Sequence, residues 1–203
     1  ECDAGKSNEA QWMKRGIAFP TLFSWGQKNV TNNYNPILYP LYTALRVSNI
    51  SQENINMVKD FPFPEIKFDF LAQTHFVRAF IHFELMRYYG PMPYIVKPIR
   101  PDGQWDLLRL GKYEYLSKVA MDFDSAAALF EQAGEMRRDP QSGTGTLQDP
   151  EQWRPTGVAA KAYKGRALLY AASPLNNDAG KGQQAWADAA IANWEALQIA
   201  LQY

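Results

Sequence analysis

Residues 70–94, FLAQTHFVRAFIHFELMRYYGPMPY, constrain the fold more than any other stretch of this chain. At about 100° per residue, Phe68, Ala72, Phe76, Ala79, Phe83 and Met86 fall on one stripe of a helix. Phe70, Val77, Ile81, Leu85 and Tyr88 make a second stripe on roughly the opposite side, with polar strips carrying Gln73, Glu84 and Arg87 between them. A surface helix needs one apolar face, so two faces predict a helix sandwiched between neighbours, the middle layer of a stack. Gly90 suits a left-handed C-terminal cap, and Pro91 and Pro93 forbid continuation.

The same patterning continues on both sides. Leu38, Leu41, Tyr42, Leu45, Val47, Ile50 and Ile55 recur at helical spacings from Pro36 to about Lys59, until DFPFP at 60–64 breaks the run. The central helix then runs from about Glu65 to Tyr89. Residues 90–111 form a proline-punctuated crossover in which PYIVKPI is the best strand candidate, and an unconvincing one. A third helix covers about Lys112 to Ala133, with Tyr115, Val119, Phe123, Ala126, Ala127 and Phe130 on its apolar side. After a polar loop rich in Gly, Pro and Asp, which its composition predicts to be mobile, a fourth helix runs from about Thr156 to Ser173 and stops at Pro174. A fifth runs from about Ala185 to the end. Small residues at tight spacing, Ala160, Gly165, Ala167 and Ala171 against Ala187, Ala190 and Ala196, predict close approach of the last two helices. The organisation is all-α, with helices paired as in tetratricopeptide-like repeats, although the period is irregular.

Residues 1–35 have no such pattern. Trp12, Phe19, Phe23, Trp25 and Tyr34 are scattered among Gly, Asn, Ser and Lys, which predicts a long aromatic-rich loop of the sort that carries function. The whole of 1–203 then reads as one helical portion, a loop region at 1–35 followed by paired helices at 36–203. A start at Glu1-Cys2-Asp3 and an end inside a helical pattern suggest a fragment of a longer protein. Twenty-one basic residues balance twenty-one acidic ones and no basic run occurs, so electrostatic capture of nucleic acid has nothing to work with. The apolar runs are too short to span a bilayer. Cys2 is the single cysteine, which rules out an intrachain disulfide and zinc sites built on paired cysteines.

Four segments together carry a resemblance. Val77-Arg78-Ala79-Phe80, Phe83, Leu85-Met86-Arg87-Tyr88-Tyr89-Gly90 and Pro93 match, in order, the helix signature of SusD/RagB-like outer-membrane nutrient-binding lipoproteins. GVAAKAYKGRALLYAASPLNN resembles that family's second, alanine-rich signature. LYTALRVSNISQENI is similar to its upstream helix, with Leu45 in place of the usual Ile, and ECDAG resembles the acidic segment before its aromatic loop. His75 and His82 stand where the family usually has apolar or aromatic residues, and its signal peptide, lipid-anchor sequence and C-terminal half are absent from this chain.

The resemblance implies an all-α, tetratricopeptide-like helical repeat scaffold with long irregular loops. It implies a lipid-anchored protein on the outer face of the cell outer membrane, the anchor lying outside this segment. Its scaffold rests on a TonB-dependent, SusC-like porin and its loops hold an oligosaccharide or, as the alternative, a peptide. A generic helical-repeat interaction module is the other reading. Binding rather than catalysis is implied: there is no glycine-rich phosphate loop, Cys2 sits among acids that raise its pKa, and no carboxylate pair suggests glycan cleavage. No cofactor or metal is expected.

Aromatic rings stack on the apolar faces of sugars, and Asp, Asn and Arg bond their hydroxyls. The candidate ligand residues are therefore Asp3, Trp12, Arg15, Trp25, Asn33 and Tyr34, with Trp105 in the crossover ranked behind them. A sugar binder should expose two or more of Trp12, Trp25 and Tyr34 in one concave patch; the bland alternative is that both tryptophans pin the loop to the scaffold. His75 and His82, seven residues apart and about 10 Å along a helix axis, are too distant for one ion and predict a hydrogen-bonded strip. Arg78 and Arg87 are expected to pair with carboxylates or cap carbonyls and so to stabilise the fold. Asp124-Ser125-Ala126 resembles an O-glycosylation sequon of Bacteroidetes, but it falls mid-helix. Asn29-Val30-Thr31 and Asn49-Ile50-Ser51 match the N-glycosylation pattern, which means little in a bacterial chain.

Overall fold

The computed structural model describes residues 38–59, 61–138 and 154–202. Among these the chain is helical without a single strand: α1 (Leu38–Asn54), α2 (Pro64–Tyr89), α3 (Lys112–Ala133), α4 (Gly157–Ala172) and α5 (Gly182–Gln202), with a 3-10 turn at Ile55–Met57. Contacts divide the chain into a unit spanning 1–44, of which the first turns of α1 are described, and a unit spanning 45–203. The polar 139–153 stretch, expected to be mobile, lies outside the described residues, as does the aromatic-rich 1–35 region.

Local chemistry sets the helix ends. Pro64 occupies the first turn of α2, where its missing N–H costs nothing, and Glu65 follows it in the positive end of the helix dipole. At the other end the Gly90 N–H bonds the Met86 carbonyl at 3.1 Å. Gly90 has φ 75° and ψ −168°, so the expected left-handed cap is instead the mirror-extended conformation, essentially reserved for glycine, and it sends the chain straight into an extended crossover. Helix α3 closes with Gly134 in the left-handed region and the Glu135 N–H on the Phe130 carbonyl at 2.8 Å. The Thr156 side chain accepts from Ala159 N–H at 3.2 Å to start α4.

The start of α3 is capped from a distance. Asp178, in the link between α4 and α5, accepts the backbone N–H groups of Lys112 at 2.6 Å and Tyr113 at 2.9 Å. Those bonds, the one to Tyr113 foremost, hold the Asp178 carboxyl below its usual pKa.

Helices α2 to α5 pack each on the next in sequence, antiparallel. Ala72 of α2 packs with Ala126, Ala127 and Phe130 of α3 and with Ala160 of α4, while Ala79, Phe83 and Met86 pack with Tyr115, Leu116, Val119 and Ala167. Tyr163 sits at the centre: it stacks on Phe123 at 5.3 Å and takes edge-on contacts from Phe76 at 5.7 Å and Phe80 at 5.6 Å. All six residues expected on the apolar side of α3 are buried. So is the first stripe of α2 at Ala72, Ala79, Phe83 and Met86.

The second stripe of α2 is covered only in part. Ile81 and Leu85 are buried, but Phe70, Val77 and Tyr88 are 46%, 38% and 45% exposed, so the helix is enclosed on two sides over part of its length rather than throughout. On α1, Val47 and Ile50 also face outward. Helix α5 starts earlier than expected and turns a different face inward. Ala185, Ala189, Ala192 and Ala196 are buried, whereas Ala187 and Ala190 are exposed: spacings of four, three and four residues follow one helical stripe that those two positions leave. The close approach itself is real. A Cβ on Gly165 would lie 2.6 Å from Asn193 Oδ1, and Asn193 donates to the Gly165 carbonyl at 3.0 Å and to Ala189 at 2.7 Å.

Candidate functional site

The six residues expected to touch ligand, Asp3, Trp12, Arg15, Trp25, Asn33 and Tyr34, all lie outside the described residues. The described chain offers a different site, organised by the crossover that leaves α2 at Gly90. It has no strand or helix to pair with, and three of its carbonyls are met by side chains instead. They come mostly from α1 and α2. The Ile95 carbonyl lies 3.1 Å from Asn49 Nδ2, which donates to it, and 3.2 Å from His82 Nε2. Arg78 donates to the Val96 carbonyl at 3.4 Å, and Arg46 to Ile99 at 2.9 Å.

Arg78 is the hub of this arrangement. Its Nε donates to Asp122 Oδ2 at 2.7 Å, its Nη2 to Oδ1 at 2.5 Å, and its Nη1 to Gln52 Oε1 at 2.6 Å. Arg and Asp thus make the two-pronged pair that guanidinium geometry favours, with both residues buried. The Tyr94 hydroxyl adds a bond to Asp122 Oδ2 at 2.9 Å, and His75 Nδ1 lies 3.2 Å from Oδ1. Burial by itself would raise the Asp122 carboxyl, but hydrogen bonds from His75, Arg78 and Tyr94 and the Arg78 charge hold it down at about 2. The Tyr94 phenol moves the other way, raised by burial and by the Asp122 charge.

His82 is fully buried beside this pair. Its ring stacks on Tyr94 with centroids 4.0 Å apart, and Nδ1 lies 2.7 Å from the Tyr115 hydroxyl. With its proton on Nε2 the ring donates to Ile95 and accepts from Tyr115. Burial pushes its pKa down to about 4, outweighing the Ile95 bond and the Asp122 charge, so it is neutral at pH 7. The two histidines therefore serve as hydrogen-bonded structural groups, with His75 at Asp122 and His82 at Ile95 and Tyr115. Among the described residues no group of three His, Cys, Asp or Glu side chains could hold a metal.

Arg78 and Arg87 divide. Arg78 is buried in the network, but Arg87 is exposed and pairs with Glu84 one turn back at 2.7 Å, a pair worth little in water. Asn49 is 1% exposed with its amide on Ile95, so its sequon presents no acceptor at the surface. Asp124 bonds Lys161 and Lys164 at 2.7 and 2.9 Å in mid-helix.

Pinned in this way, the crossover forms one wall of an open groove of about 510 Å³. Tyr94, Ile95, Val96, Pro98, Ile99 and Leu107 give it apolar lining; Glu53, Lys97, Arg100, Asp102 and Gln104 give it polar groups. Arg100 to Gly103 is a tight turn closed by the Gly103 N–H on the Arg100 carbonyl at 2.9 Å, with Pro101 at its second position. Glu53, at the end of α1, lies 3.5 Å from Arg100. Trp105, next to Gln104 in the chain but outside the lining, is 64% exposed, its indole N–H donated to the Pro101 carbonyl at 3.2 Å. Trp105 was the crossover candidate of the sequence. Asp122, Tyr94 and Gln52 were not singled out there, and Asn49 only as part of a sequon, although Asp122 carries a legible signal: an acid on the buried stripe Tyr115, Val119, Asp122, Ala126 needs a buried cation.

Comparison with known proteins bears on this scaffold. A profile of SusD-like proteins, described as starch-binding and associating with the outer membrane, matches residues 6–169. The solved structure titled BT4246 is similar in fold, with a TM-score of 0.66 at 23% identity, over 80% of this chain and 29% of that one. The chain thus spans less than a third of that protein's length. No curated protein matches.

Proposed function

The chain belongs to the SusD-like family, and on that premise we propose that it is helical scaffold of a protein that captures an oligosaccharide at the cell surface and delivers it to a TonB-dependent outer-membrane transporter. The family is one of binding proteins associated with the outer membrane, and the all-α helical-repeat fold agrees with it. The observation that carries the proposal is the match over 6–169, most of the chain, including the long helix with which the sequence was first read. Surface exposure, a lipid anchor beyond these residues, and a SusC-like porin as the receiving partner are parts of the same proposal. No helix among the described residues is long and apolar enough to cross a membrane.

The role suits a rigid scaffold. A protein that receives a flexible glycan and passes it on loses least affinity if its own groups are already ordered. Here the crossover is held by side-chain donors, three of them buried, instead of by secondary structure. The test is purification of the full-length protein from native outer membranes under conditions that preserve membrane complexes, with mass spectrometry of what travels with it. A large TonB-dependent barrel in near-equal amount is the expected result; its absence would sink the transport reading.

A further inference from the structure

We propose that Asp102 is a site of spontaneous covalent change, at which the peptide bond to Gly103 migrates from the α-carboxyl to the side-chain carboxyl through a cyclic imide.

This chemistry needs a carboxyl free to turn onto the amide nitrogen of the next residue, and a next residue that does not obstruct it. Asp102-Gly103 is the one Asp-Gly step in the sequence, and there is no Asn-Gly step. Glycine has no Cβ to crowd its own nitrogen, and its backbone reaches conformations closed to other residues. The fold then separates Asp102 from the other described aspartates. Asp122 is buried against Arg78, Asp69 is bonded by Gln73 and Arg138, and Asp124 lies between Lys161 and Lys164. Asp178 caps Lys112 and Tyr113, and Asp188 accepts from Gln184. Among the described residues, the carboxylates of Asp102 and Asp106 are held by no hydrogen bond or ion pair, and Asp106 is followed by the bulkier Leu107.

Asp102 and Gly103 are both exposed, in the turn closed by the Gly103 N–H on the Arg100 carbonyl at 2.9 Å. That bond is the restraint on the attacking nitrogen. It is a single surface bond and not one rung of a helix, so water replaces it at little cost. The Gly103 nitrogen adds to Asp102 Cγ and gives up its proton, and a carboxyl oxygen leaves as water, which closes the imide ring. Water then adds to either imide carbonyl. One opening restores aspartate; the other leaves the chain running through Cγ with the α-carboxyl free, and neither consumes an oxidant or a cofactor. The second product puts an extra methylene into the backbone of the turn. It thereby shifts a carboxylate in the lining of the groove, where Asp102 stands with Glu53 and Arg100.

The test holds the full-length protein folded at neutral pH and physiological temperature for several weeks. Isoaspartate is read by enzymatic methyl transfer to the released α-carboxyl and located by electron-transfer fragmentation of proteolytic peptides. We expect it to rise severalfold at 102 and to stay at its starting level at Asp106, Asp124 and Asp178. Asp102→Glu, whose ring would be larger, should abolish the product, and Pro101→Ala, which loosens the turn, should speed its formation. A synthetic peptide of residues 98–108, aged in parallel, gives the rate with no fold around the bond. Isoaspartate in that peptide but none at 102 in the protein would show that the turn protects the bond, and the proposal would fall. It would fall equally if neither sample changed, or if Asp106 accumulated the product as fast as Asp102.

Discussion

Where α2 meets α3, the contact is made chiefly by large rings and a buried ion pair; where α4 meets α5, it is made chiefly by alanines, with one glycine, one asparagine and the partly buried Leu168. In the first, Phe76 meets Phe123 edge-on at 5.4 Å and Arg78 grips Asp122 with two nitrogens. In the second, Ala172, Ala185 and Ala189 cluster together, and Asn193 bonds the Gly165 carbonyl directly. Each buried ring contributes roughly 1.5–3 kcal/mol of transfer free energy, and an alanine contributes much less. The first interface is thus specified by shape and charge at separated helices, the second by how closely two backbones come together. The two should fail differently: the first by losing a group, the second by gaining one.

Asp122→Ala is the most severe test of that contrast. It strands the Arg78 guanidinium in a buried site, and we expect a loss of about 3–5 kcal/mol in urea unfolding. Replacing both partners with apolar residues, Arg78→Met with Asp122→Leu, should cost far less than Asp122→Ala alone; an equal loss would show that the pair is worth no more than its packing.

Acid should weaken the same interface. The His82 pKa falls from 6.5 in the unfolded chain to about 4 in the fold, so the folded state resists a proton that the unfolded state accepts. Stability is then full above pH 6.5 and declines as pH falls from there to about 4, with a slope approaching about 1.4 kcal/mol per pH unit from this one group. Asp122, whose carboxyl is held at about 2 against an ordinary 3.8, extends the decline below pH 4 in the same direction. His82→Gln should flatten the upper part of the curve. An unchanged slope in that variant would place the acid sensitivity elsewhere.

The smallest effect is expected at the alanine seam. A methyl group on Gly165 would lie 2.6 Å from Asn193 Oδ1, so Gly165→Ala should cost about 1–3 kcal/mol despite alanine's higher helix propensity. Adding Asn193→Ala should recover part of that loss. If Gly165→Ala proves neutral or stabilising in thermal unfolding, the two helices do not need their close approach.

Much of this was legible before any coordinates. Helix ends were marked by residues whose backbone chemistry is nearly independent of context: Pro64, Gly90 with Pro91, Thr156 and Pro174. The buried stripe of α3 was read correctly because Tyr115, Val119, Phe123, Ala126, Ala127 and Phe130 are large or apolar enough to declare their side. Helix α5 was misread because alanine is nearly neutral toward burial. With Ala at 185, 187, 189, 190, 192, 196 and 200, composition does not distinguish one face from another. The outward tryptophans there, Trp186 at 47% and Trp194 at 62% exposed, run against the usual expectation that large rings lie inside.

Sequence by itself determined the all-α class, the order of the helices and the ends marked by prolines and glycines, and the family to which the chain belongs, because periodicity and chain-breaking residues act over one or two turns and need no partner. Tertiary structure alone decided that Asp122 would answer Arg78 across 44 residues, that Asp178 would cap a helix 65 and 66 residues before it, and that Asn49, His82 and Arg46 would hold a strandless crossover in place. Those pairings join groups far apart in the chain, whose donors and acceptors cannot be matched until packing removes the water that would otherwise satisfy them.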